Sequence, residues 1–91
     1  MSSSDIQSKR ITGTGSLGVG PARITQIQVL TTTGSPRLTV TDGTGGSTVL
    51  DLDFSASSTH SVNIPDDGIR CPDDVFISAF TACTAATVFY R

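Results

Sequence analysis

Apolar and polar residues alternate through the middle of the chain, in the segment RLTVTDGTGGSTVLDLDF at residues 37–54. Because successive side chains of a β-strand point to opposite faces, this alternation predicts two strands that each bury one face. Between them lies an Asp-Gly pair, a strong hairpin signal because glycine tolerates the positive φ that the connection needs. We therefore expect an antiparallel hairpin with these buried positions: Leu38, Val40, Leu50, Leu52 and Phe54.

Further short strands are expected on both sides of the hairpin, at residues 6–12, 22–32, 60–64, 69–70, 75–80 and 84–90. In the longest, the alternation predicts two faces, one with Thr25, Ile27 and Val29 and the other with Ile24, Gln26 and Gln28. Seven or eight strands at a spacing of roughly ten residues are typical of a β-sandwich. The pattern thus predicts an all-β fold, a single small antiparallel β-sandwich or jelly-roll-like barrel.

Composition favours strands over helices and limits the classes of partner. The chain has fourteen Thr, seven Val and seven Ile, but no Glu and one Lys, which usually cover helix surfaces. Its 91 residues are enough for one domain. A net charge of −2 and scattered basic residues argue against a nucleic-acid partner, and no apolar run suits a membrane span or a signal peptide. We expect a soluble protein made in a cytoplasm.

The first ten residues form a polar lead with Ile6 as its apolar anchor. We expect a flexible N-terminal arm at residues 1–10 and a β-sandwich domain at residues 11–91, although residues 6–12 also suit a weak first strand. Ordering such an arm costs about 1–2 kcal/mol per residue, so we expect it to order only against a partner. Ile6 would then be buried, with Lys9 and Arg10 near acidic groups of that partner. The alternative is a disordered tail without function.

Candidate catalytic groups are present but lack their usual context. Asp51 and Asp53 share one strand face about 6.6–7 Å apart, which suits an inverting glycosidase pair or simply a solvated face. His60 has no G-x-S-x-G nucleophile segment to accompany it, so we expect a structural histidine. The G-x-G-x-x-G at residues 13–18 is followed by Pro21 and no predicted helix, which favours a flexible loop over a dinucleotide site. We expect a protein that is not an enzyme.

Acidic turns and two cysteines leave two further alternatives open. Asp66, Asp67, Asp73 and Asp74 fall in two turn segments, where Asp is common in its own right, although calcium would also suit their oxygens. Cys71 and Cys83 would pair only if their loops meet, and cysteines in a chain without an export signal usually stay reduced. We expect turn chemistry, free thiols, no metal and no cofactor.

The carboxyl-terminal three quarters resembles small β-sandwich structural proteins of tailed bacteriophages, cyanophages among them. The resemblance covers residues 22–91 and rests on DGTGGSTVLDLDF, then SVNIPDDGIRCPDDVFIS, then ATVFYR. It implies a virion part without enzymatic activity: a capsid decoration protein, or a clip at the portal–tail connector. The chain departs from the pattern in its polar lead and its Asp pairs.

Three functions from different classes follow. The first is a virion module, present in many copies or as a homo-oligomer, that fastens larger capsid, portal or tail proteins, which a small domain with a thin core would suit. The second is a glycan-binding adhesion module, for which the lack of Trp is unfavourable. The third is a hydrolase using Asp51 and Asp53, or His60.

Overall fold

The structure, a computed structural model, describes residues 6–65 and 68–91, and this part of the chain contains nine β-strands and no helix. No helix there could therefore cross a membrane. The strands are β1 (Gln7–Ile11), β2 (Gly15–Ser16), β3 (Ala22–Thr31), β4 (Arg37–Asp42), β5 (Thr48–Asp53), β6 (Thr59–Asn63), β7 (Ile69–Cys71), β8 (Val75–Thr81) and β9 (Cys83–Tyr90).

The strands form two antiparallel sheets, which confirms the all-β sandwich. In the five-stranded sheet the order is β1-β9-β3-β6, and β7 pairs with β3 as well. The four-stranded sheet has the order β2-β8-β4-β5. The chain passes repeatedly from one sheet to the other, so that apolar faces from distant segments meet in one core. Its buried members are Leu17, Ala22, Ile24, Ile27, Val29, Leu38, Val40, Cys71, Val75, Ile77, Ala86 and Val88.

The predicted hairpin is present as β4 and β5. Leu38 lies opposite Leu52 and is fully buried, whereas Leu52 is only partly buried because β5 pairs on one side alone. In the turn, Gly43 has the expected positive φ of 76°. Gly46 does not: glycine is needed there because a Cβ would overlap the carbonyl oxygen of Asp42. The predicted turn is thus correct, and the reason for one of its glycines is steric.

The alternation expected in β3 is wrong at its first half. Ile24 and Ile27 are both fully buried, although they are three residues apart and should lie on opposite faces. The register with β9 shifts between Ile24 and Gln26, so Thr25 is an extra residue in the ladder. A bulge of this kind reverses the facing of everything beyond it. Ile24 therefore faces the core, and does not share the outer face with Gln26 and Gln28.

The amino-terminal quarter of the chain contains two strands, β1 and β2. The weak strand expected at residues 6–12 exists as β1 and pairs with β9 along its whole length, from Gln7 opposite Tyr90 to Ile11 opposite Ala86. Residues 7–10 of the expected arm are therefore part of the sheet, and residues 1–5 lie outside the described residues. One strand was not expected from the sequence: β2, which lies in the glycine-rich segment and pairs with β8. Leu17, the residue after β2, is buried.

Candidate functional site: an arginine row and two faces of opposite charge

Three arginines lie side by side at one end of the five-stranded sheet. Arg23 on β3 is directly opposite Arg70 on β7. On its other side, Arg23 exchanges two backbone hydrogen bonds with Arg91, the residue after β9, each of 2.9 Å. Three neighbouring chain segments thus present one arginine each at the same level, and we call Arg23, Arg70 and Arg91 the arginine row.

The arginine row faces outwards. Ala22 and Ile24 flank Arg23 and are buried, so the side chain of Arg23 leaves the opposite face of the sheet. Residues directly opposite each other on paired strands share a face, with Cα atoms about 4.5–5.5 Å apart. All three arginines are exposed, and together with Pro21 they line an open depression of about 300 Å³.

No side-chain carboxylate lies within ion-pair distance of this row among residues 6–65 and 68–91. In these described residues the ion pair is between Arg37 and Asp51, on the four-stranded sheet. Like charges directly opposite each other on paired strands repel and destabilise the sheet. The row is therefore a concentration of positive charge that the rest of the described structure does not compensate.

Charge is divided between the two sheets. The five-stranded sheet and the residue after β9 hold basic side chains and, in the described residues, no acidic ones: Lys9, Arg10, Arg23, Arg70 and Arg91. The four-stranded sheet has Arg37 as its one described basic side chain, and this sheet and its turns hold every described side-chain carboxylate: Asp42, Asp51, Asp53, Asp73 and Asp74. The remaining three, Asp5, Asp66 and Asp67, lie outside the described residues. A chain of net charge −2 thus has one sheet that is locally positive.

The residues proposed to bind a partner are all on or beside β1. Ile6 is 45% exposed and precedes the strand. Arg10 is exposed and lies opposite Thr87, on the same outer face as the arginine row. Lys9 points to the other face, where its Nζ donates a hydrogen bond of 2.6 Å to the carbonyl oxygen of Leu17. The structure therefore separates Lys9 from Arg10 and gives Lys9 an internal contact.

The candidate catalytic carboxylate Asp51 is held in a surface ion pair. Arg37 donates to it from Nε at 3.0 Å and from Nη2 at 2.8 Å, and Thr39 Oγ1 donates at 2.9 Å. The hydrogen bonds from Arg37 and then Thr39 hold the pKa of Asp51 below its usual range, and the same contact raises the pKa of Arg37. Asp53 shares this outer face, opposite Arg37. The pair forms part of a solvated strand face, as the alternation predicted.

His60 has a structural environment. Its Nε2 lies 2.9 Å from the carbonyl oxygen of Ser55, to which it donates a hydrogen bond. Its ring packs on Phe54 with 5.0 Å between the centroids and a tilt of 32°. These contacts tie the segment after β5 to the start of β6, which is the role expected of a histidine near a strand end.

The glycine-rich segment, expected to be a flexible loop, wraps around the carboxylate of Asp74. Oδ1 of Asp74 accepts from the backbone N–H of Val19 at 3.1 Å and of Gly20 at 3.2 Å, and Oδ2 accepts from Gly18 at 3.3 Å and from the hydroxyl of Ser16. Burial opposes ionisation, but these hydrogen bonds and that of Val75 outweigh it, so the pKa of Asp74 falls below its usual value. The loop does bind an anion: a carboxylate of its own chain.

The two cysteines are free and far apart. Cys71 lies opposite Ala22 and Cys83 opposite Thr31, at positions nine residues apart along β3. That separation is about 30 Å at the rise per residue of a strand, which rules out a disulfide within the chain. Burial, followed by the charges of Asp42 and Asp74, raises the pKa of Cys71 to about 11.

Of the two described members of the candidate calcium cluster, Asp74 has its carboxylate bound by the glycine-rich segment. Asp73 makes a contact through its backbone N–H, which donates to Asp42 Oδ1 at 2.8 Å. Over the described ranges there is no group of three or more His, Cys, Asp or Glu that could hold a metal ion. Asp66 and Asp67, the other half, lie outside these ranges.

No family model matches the sequence, and no curated protein and no solved structure matches it either. The function of the chain is therefore inferred from its own residues. Neither the arginine row nor the Asp74 loop was predicted, because both join residues that are far apart in the sequence.

Proposed function

We propose that this protein is a structural component of a tailed-phage virion, without enzymatic activity, that fastens or decorates larger virion proteins as a capsid cement or a clip at the portal–tail connector. The phage part of this proposal rests on the sequence resemblance at residues 22–91. The observation that supports a fastening role is the division of charge: every described Lys and Arg except Arg37 is on or just after the five-stranded sheet, and the described side-chain carboxylates are on the four-stranded sheet and its turns. A thin module with two different faces can contact two different surfaces.

The geometry of the module suits such a position. Its extents are 40 × 33 × 20 Å, so the sandwich is thin between its two faces. A domain of this size has a small core of its own and gains stability by docking on a larger assembly. Weak contacts of each copy become strong when many copies are present in one particle.

The candidate catalytic groups Asp51 and His60 have partners within the chain, which also supports a role in assembly. Asp51 is bound by Arg37 and Thr39, and His60 by Ser55 and Phe54. Each of these groups contributes to the local structure of a strand or turn.

The test is to delete the gene from the genome that encodes it and to examine the particles. We expect the protein in purified wild-type particles, and we expect deletion particles that lose DNA or separate at the head–tail joint under heat or low salt. Absence of the protein from purified particles would overturn the proposal. A lectin-like role would instead give normal particles and a positive glycan array.

A further inference from the structure

We propose that the arginine row is a docking site for the carboxylates of an acidic segment on a protein partner. The inference deepens the proposed function, because it names the chemistry of the partner at one face of the module. The row has an electrostatic imbalance: Arg23 lies between Arg70 and Arg91, and no described side-chain carboxylate lies within ion-pair distance of any of them. A partner that supplies carboxylates removes this repulsion when it binds.

The geometry of the row fits carboxylates in particular. Each guanidinium can donate two parallel hydrogen bonds to one carboxylate, as Arg37 does to Asp51 on the other sheet. Neighbouring strands are about 4.7–4.9 Å apart, so the three arginines are spaced closely enough to hold carboxylates of neighbouring residues or strands. The depression of about 300 Å³ beside Pro21 gives such side chains access to the row from solvent.

A protein segment is favoured over a nucleic acid by the charge of the rest of the molecule. The whole chain has a net charge of −2, and the carboxylates of the four-stranded sheet repel an extended polyanion. The row consists of three guanidiniums at one level of the sheet. This is a short local site, suited to a few carboxylates and not to a long run of phosphates.

The strength expected of one site is modest. Exposed ion pairs contribute little individually and are screened by salt, with a Debye length of about 8 Å at physiological ionic strength. Three adjacent pairs on a rigid sheet contribute more than isolated ones, and repetition over a particle multiplies them. We expect weak binding by a single copy, strongest at low salt.

The experiment measures binding of a labelled oligo-aspartate peptide to the purified chain by fluorescence anisotropy, with oligo-lysine as the peptide control. Arg23→Gln and Arg70→Gln should each weaken binding about two- to fivefold at low salt. Arg37→Gln is the matched control, because it removes one positive charge from an exposed arginine on the other sheet, where Arg37 is paired with Asp51. It should bind like the wild type.

Four results would overturn the proposal: no binding at low salt, equal loss in Arg37→Gln, tighter binding of a single-stranded oligonucleotide than of oligo-aspartate, or self-association abolished by Arg23→Gln. The last would assign the row to a second copy of this chain. The outcome is separable from the proposed function. Incorporation of Arg23→Gln into particles at wild-type level would leave the virion role intact while showing that the row is not its docking site.

Discussion

The carboxylate of Asp74 and the backbone N–H of Val19, 55 positions apart in the sequence, form a hydrogen bond of 3.1 Å. With the neighbouring bonds from Gly18 and Gly20, it converts a glycine-rich segment into an ordered connection between β2 and β3. Leu17, the residue before Gly18, is thereby held in the core, where it is 1% exposed.

Asp74→Asn should destabilise the protein by about 1–3 kcal/mol, the usual cost of leaving donors without their charged acceptor. The variant keeps the shape of the side chain but loses the charge and half of its accepting oxygens. Urea unfolding followed by circular dichroism measures the change. Asp73→Asn is the matched control, because its carboxylate is exposed in the same turn, and it should stay close to wild type. Equal effects of the two substitutions would contradict the role given to Asp74.

The lowered pKa of Asp74 makes its contribution to stability depend on pH. A carboxylate whose pKa is lower in the folded than in the unfolded state stabilises the fold fully at a pH above its pKa in the unfolded state. This stabilisation is lost as the pH falls through its pKa in the folded state. The free energy of unfolding should therefore decrease as the pH falls below the ordinary value of 3.8. In Asp74→Asn the free energy of unfolding should decrease less steeply as the pH falls. Asp51, whose pKa is also lowered, adds to this pH dependence in both proteins. Identical slopes would contradict the assignment.

How much of this could be predicted depended on how local each feature is. The β4–β5 hairpin was predictable because the alternation and the Asp-Gly turn lie within one segment. The other strands, and with them the sandwich class, were predictable from the same alternation of apolar and polar residues. The bulge at Thr25 was not, because Thr25 differs in no way from a regular strand residue until β9 pairs beside it. The arginine row was also hidden, because Arg23, Arg70 and Arg91 looked scattered until the register placed them together.

Leu38→Ala and Leu52→Ala test the packing of the hairpin. Sequence alternation alone predicted a cost of about 2–5 kcal/mol at Leu52, as for any buried leucine. In the structure Leu38 is fully buried, whereas Leu52 is partly exposed on the edge strand. Leu38→Ala should therefore cost about 2–5 kcal/mol, and Leu52→Ala clearly less. Both are measured by urea unfolding, and a larger loss at Leu52 would contradict this order.

The two thiols should differ in reactivity. Cys71 is fully buried with a pKa of about 11, whereas Cys83 is partly exposed. Because the thiolate is the reactive form, a disulfide reagent such as DTNB should modify Cys83 first in the native protein, and Cys71 only on unfolding. Cys83→Ser should abolish the fast phase, and Cys71→Ser should leave it unchanged. If the native chain did not react with DTNB until a reductant was added, the two cysteines would be paired, which would contradict their separation.

Removing one charge from the arginine row should stabilise the isolated protein. Arg70→Gln relieves the repulsion with Arg23 across β3 and β7, which we expect to raise the free energy of unfolding by about 0.2–1 kcal/mol at low salt. Added salt screens the same repulsion, so the difference from wild type should shrink as the ionic strength rises. Thermal unfolding at low and high salt measures both effects, with Arg10→Gln as the control that should show neither. A destabilised Arg70→Gln at low salt would mean that Arg70 has a carboxylate partner in the folded chain.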